Sequence, residues 1–181
     1  FRRVLFRSPA RGYRLSNPLN IRHSSVNWVG KTSVQSDSEF VQFIDPHHGI
    51  RAAAKNLLTY YRKYKLRTVQ GIVSRWAPPE DDNDTGNYIS RVAQRLNVAP
   101  DMELDLEDPE VLKALIVAMM PEEIGSVPYS AETITTAVKA AYTNTTRITE
   151  VKPPVAVYPA PQQPNAYGET PVPPLVDQPT A

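Results

Sequence analysis

The stretch that most constrains the fold is a long amphipathic segment, residues 45–64. Asp45 followed by Pro46 is a typical helix start, because Asp caps free N–H groups and Pro fits the first helical position. Apolar residues then recur at the three- and four-residue spacing of one helix face: Ile50, Ala53, Ala54, Leu57, Leu58, Tyr61 and Tyr64. This pattern predicts one long helix with a buried side.

Capping and stop residues predict four further helices. Their caps are Thr68, Asp84 or Thr85, Asp108 and Ser130. Pro78 stops the first of these helices, and Pro121 falls just beyond the predicted end of the third, because proline cannot continue the hydrogen-bond ladder. Between the predicted helices the connections are short, which favours a compact bundle.

Two segments before these helices have the composition of strands. Residues 28–30 and 39–44 are rich in aromatic and β-branched side chains, and the polar residues 31–38 would connect them. We therefore predict a small β-hairpin beside about five helices. The predicted fold class is mainly α, of the α+β kind.

Both ends of the chain differ from the middle. Residues 1–8 look like the translation of a sequencing-library adapter, and we interpret them as an artefact. Their removal takes away Arg2, Arg3 and Arg7, which lowers the formal net charge from +1 to −2. Residues 149–181 are dense in proline, which predicts a disordered tail or spacer. The helical domain is accordingly predicted at residues 9–148.

Several classes of chemistry have no support in the sequence. There is no cysteine, so neither a disulfide nor a thiolate nucleophile is available. Neither a phosphate-binding glycine loop nor a His-Glu-x-x-His helix is present, and no apolar run is long enough to span a bilayer. Asp45, His47 and His48 are close in sequence, but adjacent histidines on a helix point in different directions. We predict no metal site and no cofactor.

The basic residues of the long helix have two interpretations. They could form a polyanion-binding face, or they could be an ordinary solvated helix surface. The second is favoured, because the charges are spread around the helix and acidic residues elsewhere balance them. They are Arg51, Lys55, Arg62, Lys63 and Lys65.

Carboxylates are the remaining candidates for catalysis. Four lie in the loop after Trp76, namely Glu80, Asp81, Asp82 and Asp84, and two follow Pro121, namely Glu122 and Glu123. Glycoside hydrolysis needs an acid that stays protonated near neutral pH, and a Glu at the end of an apolar helix facing a cleft is suited to this. The alternative is that these acids are solvated or cap neighbouring helices.

Aromatic and amide side chains are candidates for sugar binding. Trp28 and Trp76 could be core residues, or they could be platforms on which an apolar sugar face stacks. Asn17 and Asn20 could brace a turn, or they could bind a sugar or peptide through amide groups that both donate and accept. The sequence leaves both alternatives open.

Several segments together resemble one protein family. Residues 11–22 (RGYRLSNPLNIR) are similar to an opening of the form Arg-Gly-Ile-Arg-Asn-Asn-Asn-Pro-Gly-Asn-Ile-Arg. Residues 28–30 (WVG), 40–43 (FVQF), 49–52 (GIRA), 76–79 (WAPP), 83–85 (NDT), 88–89 (YI) and 128–130 (PYS) continue the pattern in order. The set resembles small virion structural proteins of tailed phages and prophages that are related to lysozyme-like peptidoglycan hydrolases. Ser16 and Leu19 depart from the usual Asn and Gly, and Glu122 and Ile124 replace the His and Asn of a His-Glu-Asn-Gly motif.

The resemblance implies a virion protein with a lysozyme-like domain that binds peptidoglycan glycan strands and meets other virion proteins. It places the protein in the phage particle, or in the bacterial cytoplasm before assembly, with action at the cell wall. The alternative is an active glycan-strand hydrolase of muramidase, glucosaminidase or lytic transglycosylase type. Glu123 would then be the general acid, assisted by Asp82.

The candidate substrate contacts are Asn17, Asn20, Trp28, Trp76, Asn83 and Tyr88. A third hypothesis, a DNA-binding module, requires Arg51, Arg62 and Arg67 on one face. The near-neutral net charge argues against nucleic acid as a partner.

Overall fold

The computed structural model describes residues 9–143, which form a mainly helical domain, as predicted. The α-helices of this part are α1 (Arg11–Arg14), α2 (Pro46–Tyr64), α3 (Val69–Trp76), α4 (Thr85–Leu96), α5 (Pro109–Ile124) and α6 (Ala131–Tyr142), and a 3₁₀ turn spans Pro79–Asp81. Helices α2 to α6 are the five that the sequence predicts. The short helix α1 was not predicted.

The predicted caps hold the helix starts. Asp45 accepts a hydrogen bond from the backbone N–H of His48 at 2.9 Å, and Asp84 rather than Thr85 caps α4. Thr68, Asp108 and Ser130 cap their helices in the same way. Each cap satisfies an N–H that the first helical turn leaves without a partner. Local sequence therefore determines where these helices begin.

One continuous apolar core joins the helices. Helix α2 packs along α6, and α4 lies between α3 and α5. The side chains of Leu112, Leu115, Ile116, Met119 and Met120 in α5 are fully buried. Burying each such side chain contributes about 1.5–3 kcal/mol before entropic costs. The end of α5 also meets α1, so the N-terminal turn is anchored to the core.

The predicted β-hairpin is not formed. Within residues 9–143 the region has only the isolated antiparallel bridges Arg22↔Phe40 and Lys31↔Phe43. The backbone N–H groups of Val41 and Phe43 instead donate to the carbonyls of Ile21 and Leu15, at 2.9 and 3.0 Å. The second predicted strand thus bonds on one side to the N-terminal segment. On its other side the N–H of Ile44 donates to the carbonyl of Gly30 at 2.9 Å and the N–H of Thr32 donates to the carbonyl of Gln42 at 3.0 Å, which is too little pairing for a regular ladder.

Helix α5 runs one turn further than predicted. Pro121 lies inside the helix, which ends at Ile124, followed by Gly125 in a left-handed conformation with φ +81°. A proline removes one helical N–H, but its fixed φ is compatible with helix, so packing can carry the chain through it. The guanidinium of Arg95 donates to the carbonyl of Ala118 at 2.9 Å in this last part of the helix. Glu122 and Glu123, predicted to follow the helix, therefore lie in its final turn.

No helix in the described range is both long and apolar enough to cross a membrane. The predicted artefact at residues 1–8 and the predicted disordered tail at 149–181 lie outside the described residues. Those assignments, and the 9–148 domain boundary, stay predictions.

Candidate functional site

The carboxylate of Glu123 is the meeting point of three other elements. Its Oε1 accepts hydrogen bonds from the hydroxyl of Tyr88 at 2.7 Å and from the indole N–H of Trp76 at 3.1 Å. Its Oε2 accepts from the amide of Asn20 at 2.9 Å. We call these four residues the Glu123 cluster. Three of the predicted substrate contacts thus converge on the predicted acid.

Each partner is placed by local structure. Asn20 has a left-handed backbone, φ +50°, in the turn after α1, and it lies so close to Gly12 that a side chain there would overlap its amide oxygen. Trp76 is the last residue of α3, and Tyr88 is in the first turns of α4. The buried hydroxyl of Thr85 donates to the carbonyl of Ala77 at 2.6 Å, which fixes the start of α4 against the end of α3.

Burial sets the electrostatics of the cluster. Desolvation raises the pKa of Glu123 above its ordinary value, and the hydrogen bonds from Tyr88, Asn20 and Trp76 oppose that rise. Burial, together with the charge of Glu123, raises the pKa of the Tyr88 hydroxyl, which stays a donor. A half-buried carboxyl with a raised pKa can hold a proton nearer neutral pH than a surface Glu.

The neighbouring Glu122 has a different environment. Its two carboxylate oxygens form ion pairs with Arg91 at 2.8 Å and with Arg95 at 2.7 Å. These arginines lie on α4, so the pair of contacts ties α4 to the last turn of α5. Both carboxylate oxygens of Glu122 are therefore used in ion pairs, whereas the hydrogen-bond donors of Glu123 are uncharged.

The exposed acidic loop makes no hydrogen bond to this cluster in the part of the chain that the structure describes. Asp82 is exposed at the end of the 3₁₀ turn with φ +57°, and Asn83 is exposed and donates to the carbonyl of Pro78 at 2.9 Å. Within residues 9–143 neither side chain hydrogen-bonds to a member of the Glu123 cluster. The structure does not bring Asp82 together with Glu123.

Asn17 and Trp28 are also separate from the cluster. The side chain of Asn17 is fully buried, donates to the carbonyls of Ile21 and Val41, and accepts from the N–H of Ile21. Both of its amide hydrogens are used, so it braces the turn. Trp28 packs partly buried against the core, and its buried indole N–H has no hydrogen-bond partner among residues 9–143.

An open groove lies next to Trp76. Its volume is about 650 Å³, and its lining residues are Tyr60, Leu66, Gly71, Ser74, Arg75 and Pro78. The rings of Tyr60 and Trp76 meet edge to face with centroids 6.0 Å apart, so a wall residue of the groove contacts a member of the Glu123 cluster. Neither Tyr60 nor Arg75 is among the predicted site residues. For Tyr60 the only signal was a run of tyrosines at the end of α2, which fits the apolar face of a helix equally well. For Arg75, in α3, the sequence had no signal.

The three residues at the start of α2 carry atoms suited to a metal. Asp45, His47 and His48 have ligand atoms within 4.8 Å of one another. However, Asp45 already accepts from His48 Nδ1 at 2.8 Å and caps the helix, and the partial positive charge of a helix N-terminus disfavours cations. Structural capping accounts for these contacts, and the absence of a metal stays a prediction.

The arginines required for a DNA-binding face are engaged elsewhere. Arg51 is buried, and its Nε donates to the carbonyl of Ala140 at 3.2 Å. Arg62 makes two hydrogen bonds to Glu107, at 2.7 and 2.6 Å. Arg67 is exposed on its own segment after α2. These residues do not form a continuous cationic face.

Comparison with known proteins supplies one relationship. No protein-family model matches the chain. Protein P5 of Pseudoalteromonas phage PM2 is 43% identical over 128 residues, which cover 69% of this chain and 78% of the relative. The relationship confirms the prediction of a phage protein. The chain belongs to the family of this phage Protein P5.

Proposed function

We propose that the chain is a virion-associated structural protein whose helical domain binds peptidoglycan glycan strands. Membership of a phage protein family supports the virion role and, with it, contact with other virion proteins. The observation that carries the binding role is the convergence of Asn20, Trp76 and Tyr88 on Glu123 beside an open groove.

The chemistry of the groove suits a sugar polymer. Aromatic rings offer flat apolar surfaces on which the apolar face of a sugar can stack. Polar groups fixed at the edge of such a surface give orientation and specificity. The Glu123 cluster supplies those groups, and Tyr60 and Trp76 supply the rings. The lysozyme-like resemblance, which rests on sequence, points to the same class of ligand.

The second candidate is cleavage of the glycan strand. It is favoured by the half-buried carboxyl of Glu123 with its raised pKa, which is the property of a general acid. In this role Glu123 would donate its proton to the glycosidic oxygen as the bond breaks. Asp82 is exposed and outside the cluster, so the predicted assistance from Asp82 has no support in the geometry.

The two candidates separate in one experiment. Purified cell walls, stripped of outer membrane, are mixed with the chain or with Glu123→Gln, and turbidity and co-sedimentation are followed. Binding without loss of turbidity is the result expected for the structural protein. Clearance that Glu123→Gln abolishes would establish the enzyme instead. If the chain neither clears nor co-sediments with walls, the proposal of peptidoglycan binding is wrong.

The virion role has a separate test. Phage particles purified on a density gradient are digested and analysed by quantitative mass spectrometry. The protein is expected at a fixed ratio to the major coat protein across the particle peak. Its recovery only in the soluble fraction of the lysate would contradict the structural role.

A further inference from the structure

The guanidinium of Arg75 is the distinctive group in the groove. It lies 4.0 Å from the ring centroid of Tyr64 and 5.1 Å from that of Tyr60. Arginine stacks on aromatic faces through its planar, weakly hydrated cation, and the stacking limits its rotation. Two rings therefore hold this exposed charge at the groove.

Arg75 has no carboxylate partner among residues 9–143, unlike several other arginines of the domain. Arg62, Arg91 and Arg95 all form ion pairs at 2.6 to 2.8 Å. The ammonium of Lys63 lies 5.3 Å from the same Tyr64 ring, and it too makes no ion pair in the described part of the chain. The groove thus has fixed positive charge that the domain itself does not neutralise.

The other lining residues of the groove are mostly apolar, and two of them have small side chains. Tyr60, Leu66 and Pro78 offer hydrophobic surface, whereas Gly71 and Ser74 have small side chains. A ligand that fits must combine a flat apolar face with a negative group. A glycan unit of the wall together with the free carboxylates of its attached peptide has both features.

We propose that this groove is the subsite that recognises the peptide-bearing units of the glycan strand, with Arg75 as the residue that binds a carboxylate of the attached peptide. The inference rests on the proposed function, because it takes the domain to bind the wall polymer and assigns one group of that polymer to the groove. The sugar face packs against Tyr60 and Pro78, and the guanidinium of Arg75 binds the carboxylate through two parallel N–H groups. The strand then passes the Trp76 ring toward the Glu123 cluster.

The protein side of the test is a set of variants in the full chain. Arg75→Gln is expected to weaken binding to purified walls at least about tenfold, and Arg75→Lys about fivefold, because an ammonium lacks the two-pronged geometry. Lys139→Gln removes the same charge from an exposed position on α6 and is expected to change affinity less than twofold. Circular dichroism and thermal melting confirm that the variants are folded, as expected for exposed positions.

The ligand side uses walls whose carboxylates have been converted to neutral amides with a carbodiimide and an amine. The unaltered protein is expected to lose about as much affinity on amidated walls as Arg75→Gln loses on native walls. Arg75→Gln is expected to lose little more on amidation, because the two changes remove the same contact.

The outcomes separate the two proposals. If the unaltered protein does not bind native walls, the proposed function is wrong and the subsite with it. If it binds, and Arg75→Gln binds as tightly, the subsite is wrong while the proposed function stands. If amidation weakens the unaltered protein and Arg75→Gln equally, carboxylate recognition occurs elsewhere, and Arg75 is not the anion-binding residue.

Discussion

The ionisation of Glu123 is a property that burial and three donors decide together. Burial removes water that stabilises a carboxylate, so protonation near neutral pH is more favourable for a half-buried Glu than for a surface Glu. In this cluster the donors are an amide, an indole and a phenol, and none of them carries a positive charge. They stabilise the carboxylate, but less than an ion pair would, so burial prevails and the pKa rises.

This shift predicts a pH dependence of stability. A raised pKa in the folded state means that Glu123 contributes stability fully below its ordinary pKa of 4.5 and loses that contribution as pH rises through the folded value. The unfolding free energy of the unaltered protein minus that of Glu123→Gln is therefore expected to fall as pH rises above 4.5. Urea unfolding from pH 3.5 to 8 measures this difference. A difference that is constant, or that rises with pH, would contradict the prediction.

Asn17 offers a second test at the scale of single residues. Asn17→Ala would leave the N–H of Ile21 and the C=O of Val41 without a partner in a buried place, whereas the C=O of Ile21 keeps the bond from the N–H of Val41. The expected loss is about 2 kcal/mol or more, since each buried unsatisfied group costs about 1–3 kcal/mol. Asn27→Ala is the matched control, because Asn27 is exposed and the expected change is within about 0.5 kcal/mol. Equal stabilities in chemical unfolding would show that Asn17 does not brace the turn.

The last turn of α5 is the element on which the site depends. Without it Glu123 would lie in an irregular segment rather than on a helix face packed against α1 and α4. The turn is held from both sides: Arg91 and Arg95 of α4 pair with Glu122, and Asn20 binds Glu123. Gly125 then ends the helix in a conformation that favours glycine.

Two glycines give a matched test of how Gly125 ends helix α5. A Cβ added at either Gly125 or Gly86 meets no atom within 4 Å, so only backbone conformation differs between the two sites. Gly125→Ala is expected to destabilise by about 1 kcal/mol, because φ there is +81°. Gly86→Ala, inside α4, is expected to stabilise by about 0.5–1 kcal/mol. Thermal and urea unfolding measure the change in unfolding free energy for both variants. A change of the same sign in both would show that backbone conformation does not decide the effect.

Residues 9–143 are expected to unfold as one unit. Their core is a single cluster that includes side chains from the N-terminal turn and from α2 to α6. The Glu123 cluster joins four elements at one end of that core. Opening the groove region on its own would therefore expose buried residues of several helices at once.

This cooperativity can be measured with the two tryptophans. Trp28→Phe leaves Trp76 to report on the Glu123 cluster, and Trp76→Phe leaves Trp28 to report on the segment before α2. Within each variant, the urea transition followed by fluorescence is expected to coincide with the one followed by far-UV circular dichroism. Midpoints that separate in either variant would show that its tryptophan region unfolds independently.

Helices α2 to α6 and their caps follow from local sequence, because helix starts depend on side chains within a few residues of the backbone groups they satisfy. Sequence also indicated Glu123, Asn20, Trp76 and Tyr88 as candidate site residues, although only the family resemblance suggested Tyr88. The other features depend on contacts between distant segments. Residues 39–44 bond to the N-terminal segment as well as to residues 30–32, without forming a regular hairpin. Helix α5 continues through Pro121, because packing energy outweighs local preference. The burial that raises the pKa of Glu123 arises only where distant segments meet.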